Sequence, residues 1–131
     1  MKLALLLLLV GAMLFFAKRA LAGDVLPPDE AAKRIAAGTA VLIDVREPSE
    51  WAGGVVKGAL LLPLSDLRGE RSQWRPALAA HADKELILYC RSGNRSGIAA
   101  NILAEEKLRV TNAGAFSAWK AAGQPVVVPQ P

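Results

Sequence analysis

The chain contains a single cysteine, Cys90, in the stretch YCRSGNRSG at residues 89–97. It follows the apolar run LILY and precedes Arg91, Ser92, Gly93, Asn94, Arg95 and Ser96, all small, polar or cationic. A tight loop that runs into a helix can turn several backbone N–H groups inward and hold an anion. Gly93 permits a positive φ, and Asn94 tolerates the left-handed region better than most residues. A thiol at the base of such a bowl has its pKa lowered by the helix dipole, the amides and the neighbouring Arg91 and Arg95. The thiolate is the nucleophile, so the pattern suits covalent catalysis at sulfur. A structural cysteine is the plain alternative, because free Cys packs as a small hydrophobe. Packing alone does not call for two arginines, two serines and a glycine directly after it.

The elements needed to position this loop can be read around it. LILYC is a buried strand ending on the cysteine, and GIAANILAEEK is a helix. Upstream, PPDEAAKRIAAG carries prolines at its start, acids in its first turn and Gly38 as a stop, a full helix signature. AVLIDV is a continuous apolar run, as expected for a strand covered on both faces. EPSEWAGG predicts a short helical turn, ALLLP a strand ended by Pro63, and residues 64–80 two short helices broken near Gly69. RVTNA is a further strand candidate and AFSAWKAAG a last helix; QPVVVPQP can add an edge strand. Strands alternating with helices predict an α/β fold, with a mostly parallel sheet of about five strands and helices on both faces. In such sheets ligands gather beyond the carboxyl ends of the strands, where Cys90 falls.

At 131 residues the chain is one domain's worth, and an apolar content of 53% excludes a disordered reading. The net charge of +4 depends on Lys2, Lys18 and Arg19; without them 13 basic residues face 12 acidic ones. A near-neutral body gives no support to a nucleic-acid partner. His81 has no Cys or His at ligand spacing, so no metal site is expected, and it reads as a solvated helix end. Trp51 and Trp119 read as core or lid aromatics and Trp74 as a helix face.

Residues 3–17, LALLLLLVGAMLFFA, form an apolar run between Lys2 and Lys18-Arg19. Residues 1–23 are expected to be a membrane anchor, with the two cations at one interface, followed by a single domain over residues 24–131. The basic residues after the run would then hold that domain on the cytoplasmic side. The alternative is a signal peptide cleaved near Ala22, which would export the domain to the periplasm.

Three segments in order, LIDVREPSEWAGGVVKGALLLP, YCRSGNRSG and RVTNAGAFSAWKAAGQPV, resemble the rhodanese family of sulfurtransferases across about residues 28–127. The resemblance implies a rhodanese-like fold and a persulfide cycle on Cys90 that needs no metal or organic cofactor. The donor would be a small sulfur-containing anion such as thiosulfate, and the acceptor cyanide or a thiol. Residues 91–96 would bind the donor through their amides, with Arg91 and Arg95 attracting the anion. Asp44 would accept hydrogen bonds near the loop and Arg46 would pair with Glu50, all three supporting the site from outside; a buried pair fixing strand to helix is the structural alternative. Val55 stands where the family often has a histidine, and Gly114-Ala115 where it often has a double glycine.

Two other functions compete. A persulfide carrier or binding module for a protein partner would use the same cysteine with little turnover on small donors. Phosphatases and arsenate reductases of related fold use Cys-x5-Arg, whereas Cys90 to Arg95 is Cys-x4-Arg, one residue shorter.

Overall fold

A computed structural model describes residues 25–130. The expected leader, including residues 3–17 and the cleavage position near Ala22, lies outside them. Among the described residues no helix is long and apolar enough to cross a membrane.

The chain runs α1 (Pro28–Ala36), β1 (Ala40–Asp44), α2 (Pro48–Trp51), β2 (Val55–Val56), β3 (Leu60–Leu61), α3 (Leu64–Arg68), α4 (Trp74–Ala80), β4 (Glu85–Cys90), α5 (Asn94–Glu105), β5 (Val110–Ala115), α6 (Phe116–Ala121) and β6 (Val126–Val127). Four strands form one parallel sheet in the order β3-β1-β4-β5, with β1 and β4 at its centre. The expected sheet of about five strands is thus one of four. The valine-rich tail does form a strand, but β6 pairs antiparallel with β2, Val56 opposite Val126, and does not extend the main sheet.

Period-two alternation along β4 divides the core. Leu86, Leu88 and Cys90 face one side, packed with Leu64, Leu67, Trp74, Ala99 and Leu103 of α3, α4 and α5. Ile87 and Tyr89 face the other, packed with Ala31, Phe116 and Trp119 of α1 and α6. With both faces covered, the central strands must be apolar throughout, which is why β1 and β4 read as continuous runs.

Trp74 opens α4 and lies on its buried face. It is fully buried, and its indole N–H donates to the Pro63 carbonyl at 2.9 Å. The cause is Asp66, whose carboxylate accepts from the backbone N–H groups of Ser72, Gln73 and Trp74 and so turns the start of α4 inward. His81 stands at the C-terminus of α4, as expected of a helix end, and is half-buried there. Trp119 is core, its indole N–H donating to the Ala113 carbonyl at 3.1 Å.

Candidate active site

β4 ends on Cys90, and three residues later the chain enters α5. Gly93 makes the turn with a φ of +94°. A Cβ at this position would lie 3.3 Å from the Gly114 Cα, so both conformation and space call for glycine. The N-cap residue, Gly93, supplies no side-chain cap, and the positive end of the α5 helix dipole lies at the loop.

The Cys90 sulfur is fully buried at the floor of this loop. It accepts from the Gly93 backbone N–H at 3.1 Å and from the Ser96 hydroxyl at 3.4 Å. Burial pushes the thiol up, but hydrogen bonds from the Ser96 hydroxyl and from the backbone N–H groups of Ser96, Ser92 and Gly93 outweigh it, and the thiol falls below its ordinary range. The arginines expected to depress it are not the main cause.

Arg95 instead joins a carboxylate. Its Nη1 donates to Glu50 Oε2 at 2.6 Å and its Nη2 to Glu50 Oε1 at 2.7 Å, tying the first turn of α5 to α2. Glu50 also accepts from the Glu47 backbone N–H at 2.9 Å, completing the capping box of α2. The Arg95 guanidinium, opposed by partial burial and aided by the Glu47 N–H, lowers the Glu50 carboxyl to about 2. Arg91 is exposed and makes no side-chain bond with another described residue. Ser92 accepts from the Asn94 N–H through its hydroxyl at 3.4 Å, which braces the loop from within.

The expected pairing of Arg46 with Glu50 is replaced by a closer one. Arg46 grips Asp44, Nη2 to Oδ2 at 2.7 Å and Nε to both oxygens at 3.1 Å, and reaches only the Glu50 carbonyl, at 3.5 Å. Asp44 is fully buried at the end of β1, where an unpaired carboxylate would be costly, and the Glu50 carboxylate is already taken by Arg95. Arg46 also donates to the Gly54 carbonyl at 2.7 Å and lies over the Phe116 ring at 4.4 Å. The pair therefore fixes β1 to the α2–β2 segment. Asp44 accepts from Arg46, not from the loop of Cys90.

One residue near the sulfur was not singled out from the sequence. Asn112, on β5, donates to the Gly93 carbonyl at 3.0 Å and accepts from the Ser96 hydroxyl at 2.7 Å. An asparagine two residues before a glycine at a strand end is a turn signal that could have drawn attention to it.

A parallel sheet flanked by helices, with a lone thiol hydrogen-bonded by the loop beyond its central strand, defines a cysteine-centred α/β domain. The sequence profile of the rhodanese-like domain matches residues 27–122, and the chain belongs to that family. It is 35% identical over 92 residues to a sulfurtransferase of Allochromatium vinosum, covering 69% of this chain and 80% of that one. It is 45% identical over 64 residues to YqhL, an uncharacterized protein of Bacillus subtilis; the match spans 49% of this chain and under half, 46%, of that relative. A crystal structure of a rhodanese-related protein from Thermoplasma volcanium superposes with a TM-score of 0.67 at 26% identity, covering 81% of this chain and 99% of that one.

Proposed function

We propose that this protein transfers sulfane sulfur from thiosulfate, or a similar small anion, to cyanide or a thiol through a persulfide on Cys90. The Cys90 thiolate attacks the outer sulfur of the donor. The new S–S bond forms as the old one breaks, and sulfite leaves with its electron pair. The negative charge then sits on the outer sulfur of the persulfide, within the loop of residues 91–96. A nucleophile, cyanide or a thiolate, attacks that outer sulfur, takes it as thiocyanate or a new persulfide, and returns Cys90 as the thiolate. Charge balances at each step, and no redox partner is needed.

The observation that carries this reading is the Cys90 sulfur, held by the Gly93 N–H and the Ser96 hydroxyl and depressed in pKa despite full burial. Donors already fixed around a site of negative charge need no reorganisation when charge develops there. The engagement of Arg95 with Glu50 weighs against an oxyanion enzyme, since the loop's arginine is not free to grip a tetrahedral phosphate or arsenate. A carrier serving a protein partner would use the same persulfide. Anchoring to a membrane through residues 3–17 is part of the proposal, tested by whether the protein stays with membranes after a high-salt wash.

The deciding experiment is intact mass spectrometry of the full-length chain after incubation with thiosulfate. A gain of one sulfur, roughly 32 Da, absent in Cys90→Ser and discharged by cyanide, is the expected result. Turnover of an aryl phosphate or arsenate without sulfur gain would replace the reading with the oxyanion one. Loading only in the presence of a protein partner would make the chain a carrier.

A further inference from the structure

β5 reaches the nucleophile loop through the Asn112 side chain. Asn112 lies opposite Leu88 in the last regular pairing of β4 with β5. Beyond it the register shifts: from Leu88 to Cys90 is two steps on β4, while the partners run three steps on β5, from Asn112 to Ala115. The extra residue makes a bulge, a feature common beside active sites. Gly114 turns it with a φ of +76°, and its N–H donates back to Asn112 Oδ1 at 3.0 Å. The amide is thereby turned onto the loop, Nδ2 toward the Gly93 carbonyl and Oδ1 toward Ser96. The amide lies against α5 at Gly97, where a Cβ would meet Nδ2 at 3.4 Å, about van der Waals contact.

Ser96 is fully buried, so its hydroxyl has no access to solvent. Two acceptors stand within reach, Asn112 Oδ1 at 2.7 Å and Cys90 Sγ at 3.4 Å. A hydroxyl carries one proton and can donate it to only one of them at a time. A thiolate draws it by charge assistance, whereas a neutral sulfur accepts weakly and loses it to the amide oxygen.

We propose that Asn112 is a positioning residue for Cys90, accepting the hydrogen bond of the Ser96 hydroxyl whenever Sγ is neutral and yielding that hydrogen bond to Sγ when the sulfur is a thiolate. The thiol–thiolate half of this switch stands on the geometry alone; the persulfide half rests on the sulfurtransferase reading. No proton changes owner. As Sγ attacks a donor and becomes the neutral inner sulfur of the persulfide, the hydroxyl rotates about its Cβ–Oγ bond from Sγ to Oδ1. On discharge, as the electron pair returns to Sγ, it rotates back. Without Asn112 the proton would have only the sulfur to bond, and the thiolate would be favoured over every neutral state.

The test is the pH profile of Cys90 alkylation by iodoacetamide in the full-length protein, compared among wild type, Asn112→Ala, Ser96→Ala and the double variant. Loss of the Gly93 tie acts equally with or without Ser96, so the Ser96 background isolates it. The expected result is that Asn112→Ala places the alkylation midpoint about half a pH unit lower when Ser96 is present than the same substitution does when it is absent. Equal shifts in both backgrounds overturn the proposal and leave Asn112 as a loop brace. A wild-type measurement covers the case in which Asn112→Ala does not fold. The Asn112 side-chain carbonyl resonance must titrate with the alkylation midpoint, and a resonance that stays still overturns the switch. Neither readout uses a sulfur donor. A wild type that shows the coupling but never gains sulfur would retire the sulfurtransferase reading and leave the thiol–thiolate switch standing.

Discussion

Arg95 and Glu50 form a two-pronged ion pair at 2.6 and 2.7 Å that clamps the first turn of α5 to α2. The residues lie 45 positions apart, so the clamp holds the loop of Cys90 against a segment that no local interaction would bring to it. It also neutralises the arginine that the sequence would offer to an anionic substrate. Loop rigidity is gained and cationic attraction is reduced by the same contact.

That pair gives stability a defined acid dependence. The Glu50 carboxyl is lowered to about 2 in the folded protein, against an ordinary value of 4.5. A depressed folded value means the contribution is present above about pH 4.5 and is lost as pH falls toward 2. Both side chains retain over a quarter of their exposure, so solvent screening limits the pair to about 1 kcal/mol. Urea unfolding of wild type and Glu50→Gln should therefore differ by about 1 kcal/mol at pH 7, with the gap closing by pH 2. A gap independent of pH would mean that the carboxylate charge is not what Arg95 holds.

Gly93 gives the next expectation. Its positive φ and the 3.3 Å approach of a would-be Cβ to Gly114 make Gly93→Ala strained in backbone and in space. A cost of about 1–2 kcal/mol in chemical denaturation is expected. The substitution should also move the Gly93 N–H off the sulfur, so the Cys90 alkylation midpoint should rise. An unchanged midpoint in a folded variant would show that the amide does not set the thiol's acidity.

The Asp44–Arg46 pair is a matter of stability. With side-chain exposures of 0% and 6%, either partner left alone is a buried, uncompensated charge. Asp44→Ala should cost about 3–5 kcal/mol, and Asp44→Leu with Arg46→Met should recover most of that loss. The folded fraction of each variant should still take up sulfur on Cys90. Normal stability combined with failed loading would give the pair a direct part in the chemistry.

The central elements were readable because each is specified locally. β1 and β4 are uninterrupted apolar runs, α1 has prolines at one end and Gly38 at the other, and Cys90 is marked as a candidate nucleophile by its polar neighbours. Partner choice was not readable. Whether Arg46 meets Asp44 or Glu50 depends on where α2 folds back relative to β1, and whether Arg95 is free depends on the same contact. Trp74 sits between Gln73 and Arg75, both exposed, and only the Asp66 carboxylate gathering the N–H groups ahead of α4 turns the indole inward. Asn112 was hidden for a subtler reason. Its contact with the loop depends on a one-residue offset between β4 and β5, and a parallel register cannot be read from either strand alone.

The last expectation concerns the donor's charge. With Arg46 held by Asp44 and Arg95 by Glu50, Arg91 is the loop cation that has no carboxylate partner among the described residues. It is exposed, so its attraction for a dianion acts through water and is weakened by salt over about 10 Å at 0.1 M. Arg91→Ala should raise the KM for thiosulfate about threefold at low ionic strength and leave kcat unchanged, because attraction during approach is not specific to the transition state. Adding salt should raise the wild-type KM toward that of the variant until the difference disappears. Steady-state rates at two ionic strengths decide it. A drop in kcat would place Arg91 on the reacting atoms, and an unchanged KM at low salt would leave the backbone amides as the whole of the anion site.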